Sequence, residues 1–314
     1  RIMSPPRVRV GPTVVGMCGR YAAAKDQADL VLEFEVEVVA TDEPSRSVLA
    51  NPQQPPAGTP DHNMAPTKQA PVVLTRAPRR TAPTAAAPAA SSAPGAIEPA
   101  AVDLPAPRRQ LRLMTWGLVP SWAKDPSAGV RMINARAESV LDKPAFARAA
   151  ASRRLLVPAT GWYEWQPSPT AVDAKGKPRK QPFFIARADG HSCAFAGLYE
   201  FWRDPAVTDV SDPAAWLSTF TILTTAADPG LDRIHNRQPL VLEPADWSTW
   251  LDPQVTDLAE IGELLAYREE GRFTAYPVTT AVNRTANTGP ELLLPAAADQ
   301  LHGVVDPVTG EVIG

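Results

Sequence analysis

The placement of proline constrains the fold of this chain more than any other sequence feature. The chain has 35 prolines in 314 residues, and many of them fall in two segments, residues 42–60 and 77–107. Segments of this composition bury too little apolar surface to offset the entropy lost on ordering. We therefore predict that both are disordered insertions. Strand-like residues 71–74 and 111–116 flank the second segment, which predicts one hairpin with a very long tip.

The remaining candidate elements are short strands with a few helices. We predict an α+β fold in a single domain, because strands outnumber helices and no glycine-rich phosphate motif is present. Residues 166–180 are interpreted as a lysine-rich hairpin tip, which fits either a solvated loop or a nucleic-acid contact. The predicted strands are 155–157, 161–165, 183–186, 194–201, 219–224 and 240–242. The predicted helices are 26–34, 145–152, 245–251 and 255–267.

Composition and charge exclude several classes of protein. The chain contains no apolar run of about 18 residues, which excludes a membrane-spanning helix. Two cysteines make a disulfide framework implausible and favour a reducing, cytoplasmic compartment. The four histidines form no ligand pattern with cysteines or acids, so we predict no metal and no cofactor. The net charge of −3 argues against binding nucleic acid by bulk electrostatics, so any DNA contact must be local.

The dipeptide Met17-Cys18 offers an unusual chemical group. If the chain is processed after Met17, Cys18 carries an α-amine and a thiol with reference pKa values of about 8 and about 8.5. Such a 1,2-aminothiol condenses with an aldehyde through an imine and closes to a thiazolidine ring, which an internal cysteine cannot do. Residues 1–16 lack a signal-peptide pattern, and we interpret them as an extension that is misassigned or removed. Cys18 equally fits a small buried hydrophobic residue.

Two candidate proton-transfer groups lie in separate motifs. A strand over residues 161–165 places Trp162 and Glu164 on one face. Burial among aromatic rings raises the pKa of a carboxyl, so Glu164 is a candidate general acid, with a solvent-facing edge position as the alternative. The imidazole of His235, with an ordinary pKa of about 6.5, suits proton transfer, although a structural histidine fits as well. The neighbouring Arg237 could hold a phosphate through two parallel hydrogen bonds.

Other motifs are typical of nucleic-acid contacts. Asn134 and Arg136 share a face if their segment is extended, so the amide could orient a reacting group while the guanidinium holds a phosphate. Trp116, Trp122 and Pro66 present planes that could stack on unpaired bases, at about 1 to 3 kcal/mol per base, although tryptophans are more often core residues. Either a DNA-binding surface or an ordinary solvated surface explains the arginines near these motifs, which are Arg20, Arg131, Arg136, Arg153, Arg154, Arg233 and Arg237.

Taken together, these segments resemble one protein family. The motifs are Met-Cys-Gly-Arg-Tyr, Asn-Met-Ala-Pro, Trp-Gly-Leu-Val-Pro-Ser-Trp, Ile-Asn-Ala-Arg-Ala-Glu, Gly-Trp-Tyr-Glu-Trp, Gln-Pro-Phe-Phe-Ile and Ile-His-Asn-Arg-Gln-Pro. In this order they resemble the SOS response-associated peptidase family, which includes abasic-site sensors that shield damaged single-stranded DNA by covalent attachment. The resemblance implies a domain over residues 17–298, with 299–314 as a C-terminal tail. It also implies a barrel-like, mainly antiparallel β core with flanking helices.

The resemblance further implies roles for individual residues. Cys18 matches the cysteine that forms a thiazolidine with the ring-opened sugar of an abasic site. Asn134 matches the amide that positions the reacting centre. Glu164 matches the acid/base of imine formation, and His235 the histidine that moves protons during sugar opening and cross-link reversal. The residues implied to contact DNA are Arg20, Pro66, Trp116, Trp122, Arg136 and Arg237.

We therefore expect an enzyme that senses abasic sites in single-stranded DNA and cross-links to them through Cys18 during the SOS response. Two alternatives remain: a cysteine-dependent peptidase or autoprocessing hydrolase that uses His235 as base, and a non-covalent reader of single-stranded or modified DNA. The expected partner is abasic single-stranded DNA, with no membrane, metal or cofactor, and the chain is expected to be a monomer associated with the nucleoid in the cytoplasm. The sequence departs from the family pattern at Gln238. We expect this departure to change DNA contacts only slightly.

Overall fold

Strands make up most of the regular secondary structure that is described. The computed structural model describes residues 18–43, 46–76, 106–266 and 270–314. The helices in these ranges are α1 (Gln27–Glu33), α2 (Ala147–Ser152), α3 (Pro244–Leu251) and α4 (Leu258–Ala266), together with short 3-10 helices. None of the helices described is long and apolar enough to cross a membrane. The strands are β1 (Tyr21–Ala23), β2 (Val38–Ala40), β3 (Asp61–Met64), β4 (Gln69–Arg76), β5 (Arg108–Trp116), β6 (Asn134–Arg136), β7 (Arg154–Ala159), β8 (Gly161–Val172), β9 (Pro178–Arg187), β10 (Cys193–Arg203), β11 (Trp216–Ala226), β12 (Arg237–Pro239), β13 (Phe273–Pro277), β14 (Val304–Val305) and β15 (Val312–Ile313).

A closed barrel forms the centre of the fold. Strands β5, β4, β7, β10 and β11 are successive antiparallel neighbours, and β11 returns to β5 through a parallel pairing of Thr219 with Thr115. The C-terminal half of β11 is flanked by β6, which is parallel to it, and by β12, which is antiparallel. This arrangement brings Asn134 and Arg237 to the same end of one barrel strand.

A second sheet and the helices cover opposite faces of the barrel strands. The second sheet has the strand order β13-β9-β8-β1-β3. Successive side chains of a strand point to opposite faces, so Val72 of β4 joins a core cluster with Trp162 of the second sheet, whereas Val73 joins another cluster with Phe34 and Trp250 near the helices. The predicted α+β fold with a barrel-like, mainly antiparallel core and flanking helices is confirmed.

Most predicted elements are confirmed, with small changes at their ends. All four predicted helices form, and the hairpin predicted across the long insertion is the antiparallel pair of β4 and β5. Residues 240–242 are not a strand, because β12 ends at Pro239 and only an isolated bridge joins Val241 to Phe195. The tip of the β8–β9 hairpin is shorter than predicted, since both strands continue into residues 166–180.

The first predicted insertion differs from expectation. Residues 46–60 pack against the barrel instead of lacking order: Nζ of Lys68 donates to the backbone oxygen of Gln54 at 2.8 Å, and Nε2 of Gln53 donates to that of Gln69 at 3.1 Å. The ammonium of Lys68 is largely buried and needs acceptors, which this segment supplies. Residues 77–105 of the second predicted insertion (77–107) and the extension ahead of Cys18 lie outside the described residues.

The C-terminal tail also differs from expectation. Residues 299–314 contain the antiparallel pair β14 and β15. Val304 is 1% exposed and belongs to the main core cluster, which also holds residues of the barrel and of the second sheet. Burial of this apolar side chain fixes the segment on the domain, so the folded unit extends past the boundary predicted at residue 298.

Candidate active site

Cys18 lies just ahead of β1, and its side chain is buried. Nδ2 of Asn134 donates a 2.7 Å hydrogen bond to the backbone oxygen of Cys18, which fixes the residue against β6. The Sγ atom lies 3.7 Å from the backbone oxygen of Arg237 and donates to it. Burial raises the pKa of the thiol well above its ordinary value, and the neighbouring carboxyl of Glu164 raises it further. Cys18 is therefore held as a neutral thiol between β6 and β12.

Glu164 projects from β8 into the same site and is 4% exposed. As the alternation predicted, Trp162 and Glu164 share a face of the strand, whereas Tyr163 belongs to a separate cluster. Desolvation raises the pKa of Glu164 to about 8, and the nearby thiol of Cys18 opposes this rise. The carboxyl therefore keeps its proton at neutral pH and can donate it.

His235 lies in the loop between β11 and β12. Its backbone N–H donates to the oxygen of Leu231 at 3.0 Å, which continues the short 3-10 helix before it. Nδ1 of the ring lies 3.2 Å from both the backbone nitrogen and the backbone oxygen of Arg237, so this turn of the chain holds the ring in place. Nδ1 lies 3.9 Å from Oε2 of Glu164. The imidazole and the carboxyl are therefore neighbours without a direct hydrogen bond.

The four predicted catalytic residues converge although they are far apart in the chain. They are contributed by the segment before β1, by β6, by β8 and by the loop before β12: Cys18, Asn134, Glu164 and His235. Together they supply a nucleophile, a hydrogen-bonding amide, a proton-bearing carboxyl and an imidazole. This set can assist attack of a cysteine on a carbonyl carbon. In the described part of the chain, no three His, Cys, Asp or Glu side chains are grouped as metal ligands.

The aromatic and proline residues predicted to contact DNA divide into surface and core residues. Trp122 is 68% exposed, and Pro66 is half-buried. Trp116 is 1% exposed, and its Nε1 donates to the backbone oxygen of Ile133 at 2.8 Å. The prediction for Trp116 is therefore wrong: its ring faces the barrel core from β5 and has no free face for a base.

The predicted DNA-binding arginines also differ in their surroundings. Arg136 is exposed at the end of β6. The guanidinium of Arg237 donates to both carboxylate oxygens of Glu138, at 2.7 and 2.9 Å. Nη1 of Arg20 donates to Oδ1 of Asn63 at 2.7 Å and to the backbone oxygen of Val282 at 2.9 Å, which ties β1 to the segment after β13. Arg237 therefore lies at the rim of the site in an ion pair, whereas Arg20 holds two segments of the fold together.

Several polar residues near the site were missed by sequence reasoning. Gln166 lies two residues after Glu164 on the same face of β8. The alternation of a strand could therefore have placed its side chain near the site. Glu138 is the last residue of the quoted Ile-Asn-Ala-Arg-Ala-Glu motif, but nothing local reveals its contact with Arg237. Gln238, expected to alter DNA contacts, is buried, and its Nε2 donates to Oδ1 of Asp228 at 2.8 Å. Its role is to hold the loop between β11 and β12.

The fold and the site define a class: an α+β barrel protein with a cysteine-centred site at one end of a barrel strand. Residues 17–285 match the family model described as SOS response associated peptidase (SRAP). The chain belongs to this family. The family assignment agrees with the resemblance seen in the ordered motifs.

Relatives and solved structures support the assignment. Abasic site processing protein YoqW of Bacillus subtilis is 38% identical over 184 residues, which cover 59% of this chain and 76% of the relative. Abasic site processing protein YMR114C of Saccharomyces cerevisiae is 31% identical over 289 residues, covering 89% of this chain and 68% of the relative. A crystal structure of a phage-related protein from Bordetella bronchiseptica is 26% identical with a TM-score of 0.51, covering 83% of this chain and 94% of that one.

Proposed function

We propose that this chain is an abasic-site sensor that attaches covalently to single-stranded DNA through Cys18. One observation carries the proposal: Asn134 holds Cys18 beside Glu164, a carboxyl that keeps its proton at neutral pH. The names of the relatives, abasic site processing proteins in Bacillus subtilis, Saccharomyces cerevisiae and Mus musculus, support the choice of substrate.

The proposed chemistry requires Cys18 to be the first residue, so the peptide bond to Met17 must be cleaved beforehand. An abasic deoxyribose is mostly a closed hemiacetal, and proton transfers at its hydroxyl and ring oxygen open it to the aldehyde. The α-amine adds to the aldehyde carbon, and the carbinolamine loses water to give an imine. Addition of the thiol across the C=N bond then closes the thiazolidine, with a net loss of one water molecule.

The other site residues supply protons and position in this proposal. Glu164, a neutral acid with a pKa of about 8, donates the proton that lets water leave the carbinolamine. His235, with Nδ1 3.9 Å from Oε2 of Glu164, moves protons during sugar opening and during reversal of the cross-link. Asn134 fixes the carbonyl of Cys18, so the amine and the thiol keep their places relative to both groups.

Several side chains of this chain suit contact with single-stranded DNA. Trp122 is exposed and Pro66 is half-buried, and planes of this kind stack on unpaired bases. Arg136 and Arg237 are the proposed phosphate contacts. Because the net charge of the chain is −3, these local groups rather than bulk charge bind the strand. We infer that the protein acts as a monomer, in the cytoplasm and associated with the nucleoid.

A second candidate activity is hydrolysis of the bond between Met17 and Cys18 by the site itself. It is favoured by a cysteine that lies beside a carboxyl and an imidazole, the arrangement of a nucleophile with proton-transfer partners. Such cleavage would expose the amine that cross-linking needs. The masses of newly translated wild-type and Cys18→Ala chains test this. A wild type that begins at Cys18 beside an uncut variant supports autoprocessing, and equal cleavage of both chains excludes it.

Incubation with an oligonucleotide that carries one abasic site, followed by a denaturing gel, tests the main proposal. A wild-type chain proven to begin at Cys18 should give a slowly migrating band, and the same oligonucleotide with an intact base should give none. Cys18→Ser keeps the amine but lacks the sulfur, so its adduct should appear only after borohydride reduction of the imine. A shortened DNA strand would reveal lyase activity through the same imine.

Two outcomes of this experiment would refute the main proposal. The first is the absence of a band from wild type whose first residue is Cys18. The second is an adduct of Cys18→Ser that is as stable without reduction as that of wild type, because the thiol would then form no bond. If neither chain cross-links but both bind the oligonucleotide equally, the non-covalent reader is the better description.

A further inference from the structure

The hairpin of β14 and β15 packs on the loop that carries His235. Val304 is 1% exposed and belongs to the same core cluster as Leu231 and Ile234 of that loop. Burial in one apolar cluster removes both segments from water and favours their association. We call residues 301–308 the C-terminal brace.

Gln166 links the brace to two parts of the candidate site at once. It is 1% exposed and lies on the same face of β8 as Glu164. Its Nε2 donates to the backbone oxygen of Val305 at 2.9 Å and to that of Arg233 at 3.0 Å, while Val305 N–H donates to its Oε1 at 2.8 Å. The buried amide of Gln166 therefore joins β8, which carries Glu164, to the loop that carries His235 and to the brace.

Arg233 makes a second connection between the loop and the brace. Its Nη1 donates to the backbone oxygens of Pro307, at 2.6 Å, and of Val308, at 3.1 Å. The brace also lies against Gly230, where φ is +90° and an added Cβ would come within 2.9 Å of the oxygen of Pro307. The loop before His235 is therefore held by the brace at each end of its 3-10 helix.

We infer that the C-terminal brace positions His235 relative to Glu164, with Gln166 and Arg233 as positioning residues. The inference rests on the proposed function, and it assigns a role to residues beyond those that the family model matches, 17–285. The imidazole and the carboxyl lie 3.9 Å apart without a hydrogen bond between them, so their separation depends on how strand and loop are fixed. Small displacements of catalytic groups lower rates strongly while leaving distant binding contacts intact.

The test separates positioning from folding and from DNA binding. Cross-linking rates of the full chain are measured against the concentration of an abasic oligonucleotide for wild type, Arg233→Ala, Arg233→Lys and the control Arg148→Ala, an exposed arginine of α2. We expect Arg233→Ala to lower the maximal rate roughly 10-fold or more, with the half-saturating DNA concentration within about two-fold of wild type. Arg233→Lys should recover much of the rate, because an ammonium still donates to the two carbonyl oxygens.

A second measurement does not depend on cross-linking. In NMR spectra of the same chains, the ring signal of His235, assigned with His235→Gln, should shift or broaden in Arg233→Ala, while that of His191 stays in place. If wild type does not cross-link but the His235 signal moves in Arg233→Ala, the proposed function is refuted and the positioning role of the brace is supported. An unchanged His235 signal together with a wild-type maximal rate overturns the inference. A raised half-saturating concentration at an unchanged maximal rate also overturns it, because Arg233 then acts as a DNA contact.

Discussion

At the scale of single residues, Glu164 shows how burial decides what a side chain can do. Its ordinary pKa is 4.5, and desolvation raises it to about 8. The same enclosure, together with Glu164, raises the pKa of the Cys18 thiol. Both groups therefore hold protons at neutral pH, where an exposed carboxyl would be ionised. A proton donor and a nucleophile are kept together in their protonated forms until a substrate arrives.

Glu164→Gln should remove a pH dependence of stability. Because the folded-state pKa of Glu164 is raised, the folded chain retains a proton that the unfolded chain releases between pH 4.5 and about 8. The free energy of unfolding of wild type should therefore fall as the pH rises through this window, by roughly 5 kcal/mol at most. Urea unfolding across the window measures this. In Glu164→Gln, the free energy of unfolding should no longer fall with pH across this window. The control Glu263→Gln on α4 should show the same fall as wild type. Equal slopes for wild type and Glu164→Gln would contradict the raised pKa.

The carboxylate of Glu138 pairs with the guanidinium of Arg237, which is the group that we propose binds a DNA phosphate. Glu138 contacts both terminal nitrogens of Arg237, and its side chain is 50% exposed, so a phosphate can replace it. Glu138→Gln should bind an undamaged single-stranded oligonucleotide about two- to five-fold more tightly at low salt, since an exposed ion pair is worth about 0.2 to 1 kcal/mol. Fluorescence anisotropy measures this affinity.

The matched control for this prediction is Glu37→Gln. Glu37 is also 50% exposed and pairs with an arginine, Arg108, so its substitution changes the net charge equally. This control should leave DNA affinity nearly unchanged. An equal gain from both variants would mean that net charge alone is responsible, and weaker binding by Glu138→Gln would show that Glu138 does not compete with DNA.

At the scale of elements, Arg154 joins two helix ends to a barrel strand. It is 3% exposed on β7, although the sequence placed it among arginines that could have formed a DNA-binding surface. Its Nε donates to the backbone oxygen of Trp250 at 2.6 Å, and its terminal nitrogens donate to those of Ala150 and Val255, both at 2.9 Å. The last carbonyls of a helix have no partner within it, so one guanidinium satisfies groups at the ends of both α2 and α3.

Arg154→Met should therefore act on stability and not on DNA binding. Several buried carbonyl oxygens would lose their donor, and we expect the free energy of unfolding to fall by about 3 kcal/mol or more. Arg148→Ala, at an exposed position of α2, should change it by less than about 0.5 kcal/mol. Urea unfolding measures both effects. A variant of wild-type stability that has lost DNA affinity would contradict the structural role.

At the scale of the whole molecule, barrel closure assembles the candidate site. Pairing of β11 with β5 closes the ring, and β6 and β12 then flank the end of β11. Asn134 and His235, which are about 100 residues apart in the chain, reach the same site through these pairings. The site therefore depends on long-range strand order rather than on any single motif.

Replacement of residues 77–107 by Asn-Gly should preserve the fold and the proposed activity. Arg76 and Arg108 are direct partners in the β4–β5 hairpin, so a two-residue turn can join the strands, and a shorter loop costs less closure entropy. We expect a melting temperature at or slightly above that of wild type and a cross-linking rate within about two-fold. Failure of the shortened chain to fold would show that these residues contribute to the barrel.

Sequence patterns predicted the elements and the chemical groups better than their environments. Alternation over residues 161–165 correctly placed Trp162 and Glu164 on one face, because a strand period is a local property. Trp116 and Gln238 were expected at the DNA-binding surface, but both side chains are buried. Whether a side chain is exposed depends on which distant segments of the chain cover it. Glu138 and the brace could not be found from the sequence, since their partners lie far along the chain.

The sequence by itself determined the strands of the barrel, the four helices, the β4–β5 hairpin and the order of motifs that identifies the family. These follow from local periodicity and residue type, which act over a few neighbouring residues. Only the tertiary structure decided that Glu164 is buried beside Cys18, that Arg237 is paired with Glu138 and that the C-terminal brace meets the loop of His235. Desolvation, ion pairing and packing act between segments remote in sequence, so they exist only once the barrel has closed.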